Sequence, residues 1–361
     1  SVNFSPKNTI WEDVPAMFSY LTNVQSVLQE GKPDNEILLY WPIHDEWNKF
    51  QKGKLFFEFK IHSLDEWLLG TTFYKTTQEL MEKGYGVDFL SDNFLEQIEV
   101  KKGKLVLPGG TYKSLVVPDT DFMPLATLKK LIELKNQGAS IIFRGMPESV
   151  PGFFNYQEKA KELKTLIESN SLTEADLDTG LQAASVYPET LVNTGLKFIR
   201  RDVDGSKIYY LVNHTANMID QYIPLAGEVD NVMILDPLTR KAGAARTIKA
   251  NGISTVKVQI ASGDALILKT NTSAIKNDWV YSEAINTGVE LTNSWEIKFD
   301  KGGPVLPQTT ELKQLKSWTT VSEDASNFSG TATYTTMFNT PDIKADSWRL
   351  DLGDVRESAA V

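Results

Sequence analysis

The chain of 361 residues has no cysteine. That excludes disulfides, thiolate zinc sites and a cysteine nucleophile, and it fits a cytoplasmic or a bacterial periplasmic setting equally well. Basic charge is in short supply: 37 Lys and Arg stand against 47 Asp and Glu, a formal net charge of -10. A phosphate backbone needs a basic face, and no Lys/Arg cluster interleaved with aromatics occurs, so nucleic acid is not an expected partner. Long apolar runs are missing as well, and stretches such as 229–235 are far too short to span a bilayer. The first residues show no basic region followed by an apolar core, the mark of a signal peptide. Histidine occurs only as His44, His62 and His214, without the paired spacing of a metal site. There is no G-x-S-x-G elbow, P-loop or G-x-G-x-x-G, and Gly109-Gly110 and Gly302-Gly303 lack the strand–loop–helix setting of a phosphate cradle.

What is present is ordinary in bulk, with 41% hydrophobic and 23% charged residues, and the length leaves room for two or three domains with real cores. The 8 Trp, 12 Tyr and 17 Phe admit a sugar-binding reading, since aromatic faces pack on pyranose C–H surfaces. The plainer reading is that they fill large β-domain cores.

The most telling stretch lies near the start. Trp11, Val14, Phe18, Leu21, Val24 and Leu28 recur at spacings of three and four, one face of a helix that Gly31 and Pro33 bring to an end. Glu12 and Asp13 are expected in its first turn, where they favour the helix dipole. An apolar helix with no strand before it suggests the end of something larger, so 1–33 are assigned to an upstream domain. Over 34–190 strands at 37–40, 87–90, 115–118 and 140–143 alternate with helices at 76–83 and 124–136, which close at Gly84 and Gly138. Ser91-Asp92 is expected to cap a short helix from Asn93, and 153–189 add further helices. Units of this kind imply a parallel sheet covered on both faces. From Leu196 short strands at 197–203, 208–213, 219–225, 232–235, 254–260 and 265–270 are separated by turns such as Asp204-Gly205 and Asn251-Gly252. This reads as an antiparallel β-sandwich over 191–275. Residues 276–361 read as a connector with a strand-like piece at 295–299, then strands at 330–336 and 347–353 of a β-domain that stops incomplete.

Among candidate site residues, His44-Asp45 sits just past the carboxyl end of a strand, where α/β sheets place ligands. The plainer reading of His44 is a loop histidine bonded to a carboxylate. His62 has no assigned role, and His214 is expected to end a strand, exposed. Asp88, Asp92, Asp119 and Asp121 follow strands and read as caps and turns. A glycosidase carboxylate pair cannot be recognised by spacing alone.

Several segments go further by their wording. Asn8-Thr9-Ile10-Trp11, 29–40, Pro42-Ile43-His44-Asp45, 87–92 and 112–118 resemble the region after the catalytic barrel in α-L-rhamnosidases of glycoside hydrolase family 106. Phe328-Ser329-Gly330-Thr331-Ala332 and 350–359 resemble the start of that family's sugar-binding-like jelly roll, without the Asn-Gly turn that follows there. The resemblance implies a multi-domain α/β plus all-β protein. Residues 1–33 would be the last helix of an upstream (β/α)8 barrel, 34–190 an amidotransferase-like parallel α/β domain, and 191–275 a β-sandwich. Residues 276–361 would be a connector and an incomplete galactose-binding-like jelly roll. A working glutaminase needs a cysteine, so the amidotransferase-like part would serve as scaffold or cleft wall. The catalytic acid and base would lie upstream, with inversion at the anomeric carbon. Asn3 near the barrel's last loop, and His44, Asp45 and Trp47 from the neighbouring domain, would be candidates for touching sugar, although packing is the plainer role of each. The implied partners are an oligo- or polysaccharide and the upstream barrel of the same parent chain. No cofactor is identified, and a structural or catalytic divalent ion such as calcium in the parent stays open. A bacterial periplasmic or secreted location follows from the resemblance alone. The competing reading is a stand-alone carbohydrate-binding module without catalysis.

Overall fold

The computed structural model describes residues 5, 6, 8, 10–49, 58–272, 275, 277–283, 288–355 and 359–361. They form two compact units, one of residues 20–280 and one joining 1–19 to 281–361.

Helix α1 (Val14–Leu28) starts later than its apolar stripe. Glu12 and Asp13 therefore precede the helix instead of occupying its first turn, and Glu12 pairs with Lys301 Nζ at 2.8 Å. Of the stripe, Val14 and Val24 are buried, while Phe18 and Leu21 are exposed.

Within 20–280, the strands Val87–Leu90, Ile37–Tyr40, Ser114–Val117 and Ser140–Phe143 lie in that order in one sheet, every pair parallel. All residues of Ile37–Tyr40 and Ser114–Val117 are buried, as a sheet covered on both faces requires. Around these strands run α2 (Ile43–Trp47), α3 (Thr72–Glu82), α4 (Asp92–Leu95), α5 (Leu125–Asn136), α6 (Tyr156–Ser169) and α7 (Leu177–Ala183). Helix α3 begins at Thr72, earlier than periodicity places it, because the Thr71 hydroxyl accepts the Tyr74 N–H and caps the end. Side chains alternate across the sheet. Leu38, Tyr40, Leu115 and Val117 pack with Leu128 and Leu131 of α5 and Leu163 of α6. Ile37, Leu39 and Val116 pack on the other face with Phe73 and Leu80 of α3 and with Leu177 and Leu181 of α7. Removing one such fully buried leucine costs about 2–5 kcal/mol. A meander of Glu99–Lys101, Lys104–Leu107 and Gly110–Tyr112, absent from the sequence reading, adds a three-stranded antiparallel sheet.

In the second half of this unit the named strands all pair antiparallel. A six-stranded sheet orders Lys32–Pro33, Leu196–Val203, Ser206–Asn213, Ala265–Thr270, Val232–Leu235 and Ala242–Ala244. A three-stranded sheet orders Ile219–Leu225, Ile253–Ile260 and Thr247–Ala250. The early segment Lys32–Pro33 thus joins a sheet otherwise built from later strands. Buried charge ties these strands to the parallel half. Arg200 contacts Asp34 Oδ2 through Nε at 2.6 Å and Glu189 Oε1 through Nη1 at 2.5 Å. Gly84 stands against this cluster at φ +91, and a Cβ there would meet the Glu189 carbonyl oxygen at 2.3 Å.

In the other unit, Trp295–Gly303 pairs with Thr310–Leu312 on one side and Ser329–Thr336 on the other. Ile297, Phe299, Leu312 and Phe328 form its core with Ala325 of α8 (Glu323–Ser326). The strand expected at 347–353 is not formed, and these residues are exposed. Their alternating pattern suits a strand, but a strand needs a neighbour to hydrogen-bond, and none pairs with them among the described residues.

Candidate functional site

Parallel α/β sheets leave a crevice at the carboxyl ends of their strands. Here the Ile37–Tyr40 strand runs through Trp41-Pro42 directly into α2, which carries three of the four candidate residues. The helix turns them apart. His44, Trp47 and Asn48 share one face, while Asp45, Glu46 and Lys49 share the other, and each face borders a hollow.

The smaller hollow, about 170 Å³, is lined by Asp45, Glu46, Trp41, Trp67, Asp119 and Asp121 among others. Asp45 is largely occupied in holding the loop after Ser114–Val117: Oδ1 accepts the Phe122 N–H at 2.8 Å and Oδ2 the Asp121 N–H at 3.2 Å. Burial pushes its carboxyl above the ordinary value, against the pull of bonds from Phe122, Thr120 and Asp121. Glu46 is buried, with Oε1 on Lys49 Nζ at 2.5 Å and Oε2 without a hydrogen-bond partner among the described residues.

The larger hollow, about 530 Å³, is a groove lined by His44, Trp47, Phe122, Pro151, Phe153 and Tyr156 among others. His44 Nε2 faces Asp92 Oδ2 at 3.4 Å, and its ring meets Trp47 edge-on with centroids 5.2 Å apart. The histidine stands beside a carboxylate, as its plainer reading has it, but from a helix and not a loop. Asp92 departs from expectation. It is the first residue of α4, not its cap, and the Ser91 side chain makes no capping bond. Asp92 Oδ1 instead accepts the hydroxyls of Tyr40, at 2.9 Å, and of Thr127. Burial pushes the Asp92 carboxyl up, but the bonds from His44, Thr127 and Tyr40 outweigh it and hold the group below its ordinary value.

Of the other candidates, Asn3 lies outside the described residues, and His62 and His214 are exposed away from both hollows. Asp88 accepts hydrogen bonds from Asn35 at 2.8 Å and Tyr112 at 2.8 Å, a structural role. Sequence reasoning missed Phe153 and Tyr156. The signal for them was Pro151-Gly152-Phe153-Phe154, a turn dipeptide followed by two large aromatics, both strongly exposed. Among the described residues no group of three or more His, Asp or Glu is placed to hold a metal ion, and no helix is long and apolar enough to cross a membrane.

A concavity at the carboxyl edge of a parallel sheet is where mixed α/β proteins place small-molecule ligands. The comparisons make the class specific. The family model for alpha-L-rhamnosidase, glycoside hydrolase family 106, matches residues 1–223, and the chain belongs to that family. A protein of Formosa agariphila, provisionally named a beta-glucuronidase, is 24% identical over 305 residues, which cover 81% of this chain and 23% of that protein. The structure of a rhamnosidase from Novosphingobium sp. PP1Y shares the fold at a TM-score of 0.62 and 20% identity, over 92% of this chain and 32% of that one. The chain thus spans about a quarter to a third of the length of these relatives.

Proposed function

We propose that this chain is an accessory part of a glycoside hydrolase that releases terminal sugar residues from plant or bacterial polysaccharides in the manner of an α-L-rhamnosidase. The observation that carries this is the family match over residues 1–223. On this reading 34–190 form an amidotransferase-like scaffold, which without cysteine has no glutaminase chemistry of its own. Residues 191–275 form a β-sandwich, and 276–361 a connector and the start of a galactose-binding-like jelly roll. Residues 1–33 are the last helix of a catalytic barrel. The exposed Met17 and Leu21 on α1 support a further packing partner, because apolar side chains of this size seldom face water in a row. The catalytic carboxylates, and any divalent ion such as calcium, belong to that barrel, and the chain alone is inactive. Asn3, His44 and Trp47 are the sugar-contacting candidates, with Asp45 acting through the loop it holds. The protein is periplasmic or secreted.

The test pairs intact mass of the natural gene product with turnover of p-nitrophenyl α-L-rhamnopyranoside. A longer product that hydrolyses the rhamnoside, beside an inactive 361-residue chain, is expected. A product of the same length, or robust turnover by the chain alone, overturns the reading.

A further inference from the structure

We propose that the groove on the His44–Trp47 face of α2 is a stacking subsite for one neutral pyranose ring, with Asp92 as the residue that positions His44. This rests on the carbohydrate reading above and names the site and ligand class within it. The groove, about 530 Å³, falls in the size range of small-molecule sites. Its walls hold large rings out in water: Trp47 is 56% exposed and Phe153 wholly exposed. Rings of this size lining a concavity mark a contact surface. A pyranose offers one C–H face for such a ring, and its equatorial hydroxyls then need partners near the ring plane.

Two groove residues are pre-set to supply them. Asp92 Oδ2 lies 3.4 Å from His44 Nε2, and Nδ1 carries no hydrogen bond among the described residues, so a ring that keeps its proton on the Asp92 side turns Nδ1 outward as an acceptor. Asp92 is itself held by Tyr40 and Thr127, which fixes the ring from behind. Across the groove, Ser149 donates its hydroxyl hydrogen to Tyr156 Oη at 2.8 Å, which leaves the phenol hydrogen to donate outward. One acceptor and one donor match sugar hydroxyls, which give and take hydrogen bonds. Among the described residues no Lys or Arg lines the groove, and the Asp92 carboxylate stands behind His44. A uronate carboxylate would meet the unfavourable field of Asp92. Phe122, Val150 and Pro151 instead offer an apolar corner for a deoxy carbon.

The test titrates the 361-residue chain with methyl α-L-rhamnopyranoside and with D-glucuronate, by tryptophan fluorescence and saturation-transfer NMR. Saturable rhamnoside binding is expected, with glucuronate at least tenfold weaker. Trp47→Ala should weaken the rhamnoside about tenfold, and His214→Ala should change nothing. Asp92→Asn should weaken it several-fold and shift the imidazole nitrogen signals of His44 away from the Nε2–H form. Should that variant unfold, Tyr156→Phe, which removes the outward donor, is expected to cost several-fold as well. No saturable rhamnoside binding, equal binding of glucuronate, or a Trp47→Ala variant that binds like the parent chain overturns the proposal. The two readings fail separately. A longer protein that hydrolyses rhamnosides while this chain binds none sinks the groove alone, whereas a chain that binds with no active longer protein sinks the hydrolase reading alone.

Discussion

The substitution Glu189→Gln probes what joins the parallel half of the large unit to its antiparallel half. Glu189 is only 1% exposed. Its Oε1 accepts from Arg200 at 2.5 Å and from the Tyr209 hydroxyl at 2.8 Å, and its Oε2 accepts the Ala226 N–H at 3.1 Å. The amide keeps the shape and one acceptor, but its NH2 must face either the Arg200 guanidinium or the Ala226 N–H. Removing one partner of a buried ion pair costs about 3–5 kcal/mol, and because Arg200 keeps Asp34 the lower end, about 3 kcal/mol, applies. For a unit of this size each kcal/mol moves Tm by about 2–4 °C, so differential scanning calorimetry should show a fall of about 6–12 °C. Lys249→Ala sets the scale of an ordinary surface pair. Lys249 and Asp230 meet at 3.1 Å with side chains 42% and 88% exposed, and its loss should stay within about 0.5 kcal/mol. If Glu189→Gln lowers Tm by no more than Lys249→Ala does, the cluster is not what holds the two halves together.

Asp45→Ala should free the N–H groups of Asp121 and Phe122, a loss of about 1–3 kcal/mol, seen as faster hydrogen exchange at Phe122. Unchanged protection there would mean the loop holds itself. Acid titration tests Asp92, whose folded value is held below the unfolded one. Its contribution is then complete above the unfolded value of about 3.9 and is lost as pH falls through the lower folded value. Stability should therefore decline less steeply below about pH 4 in Asp92→Asn than in the parent chain, and equal slopes in chemical denaturation would refute the assignment.

Local pattern carried much of the fold. The strand at 37–40 stands where its continuous apolar run places it, since a strand covered on both faces has no polar side to show. Gly84 and Gly138 close their helices at φ +91 and +90, a conformation that glycine adopts without strain. The Glu99–Tyr112 meander escaped notice because strands of three and four residues rich in Lys and Gly carry too little periodicity to register. The stretch 347–353 erred the other way, since alternation marks a capacity for pairing and does not provide the partner.

The same division runs through the site. Sequence alone determined the chain's class, its alternation of strands and helices followed by short strands, and the placing of His44 just past a strand's carboxyl end, because each depends on neighbours a few residues apart. Tertiary structure alone decided which strand lies beside which, and that the early segment Lys32–Pro33 joins a sheet made of residues beyond 195. It also decided that α2 divides its polar residues between two hollows, and that Asp92 and Tyr156 come to stand at His44's groove. Side-chain period reports which face a residue occupies, but what that face meets is set by long-range packing, which no local pattern records.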